Sequence, residues 1–254
     1  MLLFSLTSTL DPGQFMLPRG AHRKGGGRAK VESLHADLSS AAAASPLLHE
    51  QKNCSILVND PVDAHPVRSP QAVHSAITRR IYDVDLVEIG TRGGDGMACF
   101  AQVTRSASAV EMDPSACKKL QARSLTLGKK GNRTFFIQCD RYQALSLDAD
   151  VFTWWQQEPH LKNGEVLHHL RRQQHKGQIR AQAKAILLFE RGYDEDMSSF
   201  NYWQNFSQWI EEISFDEQRL CRKLYRSKPW FRKRAKGSYY VMGIKLADVP
   251  LIFR

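Results

Sequence analysis

With 254 residues, 42% of them hydrophobic and 24% charged, the chain has room for one catalytic-sized domain and an appendage but not for two domains of ordinary size. No apolar run approaches the ~18 residues that span a bilayer, so the reading excludes a transmembrane helix and a membrane partner. A formal charge of +10 favours an anionic partner such as nucleic acid, a phosphorylated metabolite or an acidic surface, without choosing among them.

Residues 1 to about 65 carry RKGGGR, the alanine run Ala41 to Ala44, scattered serines and prolines and no sustained periodicity, the pattern of a flexible leader ahead of a domain spanning 66 to 254. The apolar start MLLFSLTSTL has no basic residues before it, which argues against a secretory signal. An organellar address is the alternative, weakened by Asp11, Glu32 and Asp37. The cysteines, Cys54, Cys99, Cys117, Cys139 and Cys221, are odd in number and widely spaced, with no CxxC pair. They predict reduced thiols and an intracellular, cytoplasmic setting.

Ser69 and Pro70 read as a helix cap and first-turn residue, followed by Ala72, Val73, Ala76 and Ile77 on one helical face. DLVEIG is then a first strand, and GDGMACFAQVT a helix with Asp95 as candidate cap and Met97, Phe100, Ala101 and Thr104 inward. The alternation continues with SASAVEMD as strand and PSACKKLQARSL as helix. TFFIQCD and DADVFTWW follow as strands, then a polar helix around Val166 to Ala183 and AILLFE as strand. Strands alternating with helices predict an α/β fold, a mostly parallel sheet with helices on both faces. Ser199 to Ile213 reads as a further amphipathic helix through Phe200, Trp203, Phe206 and Ile210. Phe215 to Lys236 is assigned as a strand although Leu220, Cys221, Leu224 and Tyr225 also suit a helix, and SYYVMGIKLADV is a long last strand.

The chemistry gathers at VEIGTRGGDG. A glycine-rich turn between a parallel strand and a helix lets backbone amides approach a ligand closely, and the helix N-terminus suits an anionic group. The glycines following Gly90 stand three, four and six positions on, so the GxGxxG spacing of dinucleotide sites is not met and a nicotinamide-dependent oxidoreductase is disfavoured.

VEIGTRGGDG followed by AVEMDP resembles motif I and the next acidic strand end of class I S-adenosylmethionine-dependent methyltransferases. The resemblance covers about Pro66 to Val249 and rests on Glu88, Gly90 and Gly94, with Arg92 standing where the middle glycine usually lies. It implies a Rossmann-like sheet of seven strands with an antiparallel last strand, and S-adenosyl-L-methionine as cofactor. It also implies a cofactor site formed by Glu88, Gly90, Thr91, Arg92, Gly94, Glu111, Met112 and Asp140. Within that set, Glu111 lies 21 residues after Gly90 and would accept from the ribose hydroxyls, while Asp140 would accept from the adenine amino group. Asp113 competes for the ribose, but Asp113 before Pro114 is explained as a helix cap.

The fourth strand ends in TWWQQEP, without the D/NPPY-like tetrapeptide of amino-group methyltransferases. Thr153 and Trp154 stand where catechol-type relatives place a magnesium-binding aspartate, so no metal is expected. Trp154, Trp155, Gln156 and His160 are candidate substrate-pocket residues, an aromatic face being attractive to a sulfonium. No catalytic residue is assigned. His160, Glu158 and Glu190 are the positions from which a general base would act, were the acceptor protonated. The expected acceptor is a small or medium-sized, anionic molecule. The alternative is an RNA-binding or RNA-modifying methyltransferase-like protein that uses HHLRRQQHKGQIR and RKLYRSKPWFRKR, where Arg219 to Lys236 holds nine basic residues and no acid.

Overall fold

A computed structural model describes residues 51–57, 70–154, 161–192, 194–216 and 236–251, all within the compact unit Leu47–Arg254. One seven-stranded sheet runs in the order β3-β2-β1-β4-β5-β7-β6. Its strands are β1 Asp85–Ile89, β2 Ser106–Val110, β3 Phe136–Gln138, β4 Val151–Trp154, β5 Lys184–Glu190, β6 Ser207–Asp216 and β7 Lys236–Lys245. The β1 to β5 pairings are parallel, and β7 runs antiparallel to both β5 and β6. This is the Rossmann-like architecture with an antiparallel last strand that the sequence led us to expect.

The apolar runs of β1, β4 and β5 are buried on both faces, as parallel strands require. On one face α2 Gln71–Thr78, α3 Asp95–Phe100 and α4 Pro114–Lys129 set Val73, Ile77, Met97, Phe100, Leu120 and Leu127 against Leu86 and Ile186. On the other, α5 Leu161–His175 and α6 Asp194–Trp203 bring Leu167, Leu170, Phe200 and Trp203 onto Val87, Phe152 and Leu187. Among the described residues no helix is long and apolar enough to cross a membrane.

Several elements differ from the sequence reading. Pro70 itself occupies the cap position of α2, and Ser69 lies outside the described residues. Asp95 is not the cap of α3. Gly94 takes that place at φ +79°, and the buried Asp95 carboxylate instead pairs with Arg123 of α4 at 2.7 Å. The polar helix starts at Leu161 and ends at His175, well short of Ala183, with Gly177 in the left-handed region just beyond. The helix expected over Ser199 to Ile213 stops at Trp203, and β6 begins at Ser207. There Trp209 and Ile213 pack on the α2 side while Gln208, Ile210, Glu212 and Ser214 are exposed, a period of two rather than 3.6. Most of the strand assigned to Phe215 to Lys236 lies outside the described residues.

The leader boundary also moves. Cys54, in the short helix α1 Cys54–Leu57, is fully buried, its N–H donates to Ser75 Oγ at 2.9 Å, and the N–H of Lys52 donates to Thr78 Oγ1 at 3.0 Å. The thiol reading fails with it, because Cys54 is bonded to Cys99 and Cys117 to Cys139. Linear spacing could not reveal pairs that only the folded chain brings together.

Candidate cofactor site

The candidate residues converge where β1, β2 and β3 end. Register places Ile89 beside Val110 and Val110 beside Gln138, so the turn after β1, the loop after β2 and the loop after β3 rise from three adjacent strands. Gly90 leaves β1 at φ +72°, and a Cβ there would point into open space, leaving backbone free for close approach. At Gly94 a Cβ would stand 2.6 Å from Leu120 Cδ2, so glycine is needed there both for its positive φ and for the packing of α4.

Beneath the turn lies a buried polar layer. Glu88 is 1% exposed on β1, and a Cβ at Gly96 would be 3.2 Å from Glu88 Oε1 and 3.3 Å from His74 Nε2, so both side chains meet at the gap that this glycine leaves. Burial, assisted by the positive charge of Arg123, pushes the His74 imidazole down to about 3, and it stays neutral at physiological pH. Sequence reasoning missed His74. Its only signal was a titratable residue in a helix whose other polar residues, Gln71, Ser75 and Thr78, cannot titrate. Thr91 Oγ1, also buried, has no hydrogen-bond partner among the described residues.

Glu111 is nearly buried, and its carboxylate is already engaged. Oε2 accepts from the backbone N–H of Arg92 at 2.8 Å and Oε1 from that of Asp113 at 2.9 Å. These bonds tie the glycine turn to the β2 loop, and each oxygen retains a lone pair for another donor. Arg92 sits at φ +53°, a left-handed conformation unusual for an arginine, and its N–H points to Glu111. The acidic Glu111 is therefore the neighbour that the Arg92 backbone meets. Met112 is 69% exposed beside this loop. Asp113 caps α4, accepting from Ala116 N at 2.7 Å ahead of Pro114. Asp140 is exposed after β3 and accepts from Arg141 N at 2.7 Å.

The substrate side differs from expectation. Trp154 is no pocket wall: it is buried in the core between β4 and α5, and its Nε1–H donates to Asn163 Oδ1 at 2.7 Å. A strand end packed under a helix offers an indole more apolar contact than a pocket rim does. Thr153 is likewise committed inward, donating to Ile186 O at 3.1 Å. Trp155, Gln156, Glu158 and His160 lie outside the described residues, and Glu190 ends β5 partly buried. Among the described residues no three His, Cys, Asp or Glu side chains gather as a metal site.

No family model and no curated protein matches the chain. Among solved structures it is similar to precorrin-6y C5,15-methyltransferase from Geobacter metallireducens, at 12% identity and TM-score 0.49 over 77% of this chain and 98% of that one. It is also similar to a SAM-dependent methyltransferase from Thiobacillus denitrificans in complex with S-adenosyl-L-homocysteine, at 10% identity and TM-score 0.46 over 75% and 96%. An rRNA methylase from Streptococcus thermophilus is similar at 12% identity and TM-score 0.43 over 73% and 99%. At such identities and scores the likenesses carry no functional weight, which falls instead on the chain's own strand order and site geometry.

Proposed function

We propose that the chain is an S-adenosylmethionine-dependent methyltransferase. The observation that carries this reading is the junction of an open glycine turn, an orphaned buried Thr91 hydroxyl and a bracing Glu111 at the ends of adjacent parallel strands. Such strand ends are where open α/β sheets bind ligands. The residues present fit the cofactor. Gly90 leaves room for the close approach of a ligand, and Thr91 Oγ1 awaits a polar partner. The free lone pairs of Glu111 suit ribose hydroxyls, and the exposed Asp140 carboxylate suits an amino group. Met112 presents an apolar thioether beside them.

When bound, S-adenosylmethionine supplies a methyl group on a sulfonium, open to in-line displacement by a nucleophile. The protein's part is to position and to exclude water. Glu88 lies beside a neutral His74 below the turn. No proton transfer is assigned to a residue. The proposed acceptor is a small or medium-sized anionic molecule, a reading supported by the formal charge of +10.

RNA is the second reading, favoured by one observation. From Pro114 to Cys139 the chain holds no acid, and Lys118, Lys119, Lys129, Lys130 and Arg133 are exposed. The compartment proposed is an oxidising one, since four of the five cysteines are paired and such pairs rarely persist where thiols are kept reduced.

Calorimetric titration of the full chain with S-adenosylmethionine, S-adenosylhomocysteine and NAD tests the reading. Micromolar binding of the first two and none of the third is expected. Failure of both to bind removes it. RNA as the acceptor would show as affinity falling steeply with salt together with methyl transfer to RNA.

A further inference from the structure

The two disulfides differ in setting. Cys54 and Cys99 join α1 to α3 with Cα atoms 5.4 Å apart, and both residues are 0% exposed. Cys117 and Cys139, with Cα atoms 5.9 Å apart, join the first turn of α4 to the residue after β3. Cys117 is buried, but Cys139 is exposed.

The second bond lies against the site. Cys117 follows the Glu111 to Asp113 loop, and its Sγ is 3.8 Å from the Glu111 carbonyl oxygen. Cys139 directly precedes Asp140 in the chain. Here the sheet is at its weakest, because β3 is an edge strand of three residues whose ladder ends at Gln138. One backbone bond crosses beyond that point, from Glu111 N–H to the Gln138 carbonyl at 3.0 Å. The disulfide is therefore the covalent tie that keeps Asp140 in register with Glu111.

We propose that Cys117–Cys139 is a thiol-sensitive fastener on the adenosine side of the site, which a dithiol reductant opens and whose opening weakens cofactor binding. The affinity half of this inference rests on the assignment of Glu111 and Asp140 to adenosine made above. One thiolate of the reductant attacks the exposed Cys139 sulfur, the Sγ–Sγ bond breaks, and Cys117 leaves as a thiolate that takes up a proton. The reductant's second thiolate then attacks the mixed disulfide and frees Cys139. Two electrons pass to the protein, and the reductant ends as its own disulfide. The geometry favours this direction of attack. Cys139 is the exposed residue of the pair, and the departing Cys117 sulfur sits in the first turn of α4, where the helix dipole stabilises negative charge. Cys54–Cys99 offers a thiol no such access.

The full oxidised chain, with any free thiols blocked, is titrated with dithiothreitol under native conditions. Alkylation mapping, amide hydrogen exchange over residues 111–117 and 138–142, and S-adenosylhomocysteine affinity are followed together. Cys117 and Cys139 are expected to become labelled at dithiol concentrations that leave Cys54 and Cys99 intact. Exchange over both segments then accelerates, and the Kd rises about tenfold. A C117S/C139S variant is expected to show the weakened affinity from the start and no response to dithiol. Simultaneous labelling of all four cysteines overturns the proposal, as does selective opening with exchange and affinity unchanged. If the oxidised protein binds neither S-adenosylhomocysteine nor S-adenosylmethionine, the methyltransferase reading fails by itself. Labelling and exchange then still decide the fastener.

Discussion

At the N-terminal edge of the sheet, Arg105 and Arg180 each bridge Asp85 and Asp150 at 2.7 Å, and Ser106 Oγ donates to Asp85 as well. At the C-terminal edge the same strands run out into a glycine turn, a left-handed arginine and a threonine hydroxyl without a partner. One edge satisfies its charges within the chain, whereas the other keeps the Thr91 hydroxyl unpartnered among the described residues. Ligand-binding regions are commonly drawn from the less stable parts of a fold, and here the difference is written in which groups are already bonded.

Glu111 is the test of how separate the two edges are, because it braces the turn and is also the proposed ribose acceptor. Glu111→Ala orphans the Arg92 and Asp113 amides and removes the proposed ribose acceptor. The expected loss is about 2 kcal/mol in chemical denaturation, with a fall of at least about tenfold in cofactor affinity. Full affinity in a destabilised variant would reduce Glu111 to a brace.

Asp85→Asn should act on stability alone. Its partners are substantially exposed, so screening holds the loss near 1 kcal/mol at pH 7. Arg105 holds the Asp85 carboxyl well below the usual carboxylate range, against the opposing effect of burial. For Asp150 burial raises the value, but the Asp85 N–H and Arg180 outweigh it and the net direction is also down. Folded-state values below the unfolded ones mean that this stabilisation is complete above about pH 5 and fades as the pH falls through the ordinary carboxylate value and below. Urea midpoints of wild type and variant should therefore differ at pH 7 and draw progressively closer as the pH falls below about 4, with cofactor affinity at pH 7 unchanged.

The smallest effect is expected for Arg92→Gly. Relief of the left-handed conformation and the added freedom of the unfolded chain nearly cancel, leaving stability within about 0.5 kcal/mol. The N–H to Glu111 is retained, so affinity should stay within about threefold. A larger fall would assign the guanidinium to the ligand.

Much of the fold was legible because its signals are local. DLVEIG, AILLFE and SYYVMGIKL carry strand character in their own composition, and Asp113 before Pro114 announces the start of α4. Signals that depend on a distant partner were not. In β6 the inward-facing Glu211 is neutralised by Arg79 and Arg80, so a charge interrupts the apolar alternation of Trp209, Ile213 and Phe215, and helical spacing prevailed in the reading. The turn and the acids of the site were readable by position. That Glu111 already accepts two amides was not, since backbone direction in a loop is not encoded by residue type. Trp154 was misplaced for a related reason: its partner, Asn163, comes from the next helix.

The contact between α2 and β6 has a bearing on how the chain assembles. Arg80 lies 4.2 Å over the Trp209 ring and also reaches Glu211, across a sequence separation of 131 residues. The ordering of so long a loop must precede any gain from that contact. In the chain, α2 and the strand it packs on are separated by most of the sheet. The segment around Cys54 needs only Cys99, 45 residues on. The disulfide between α1 and α3 thus closes a far shorter stretch of chain than the contact that fastens the end of α2 to the edge of the sheet.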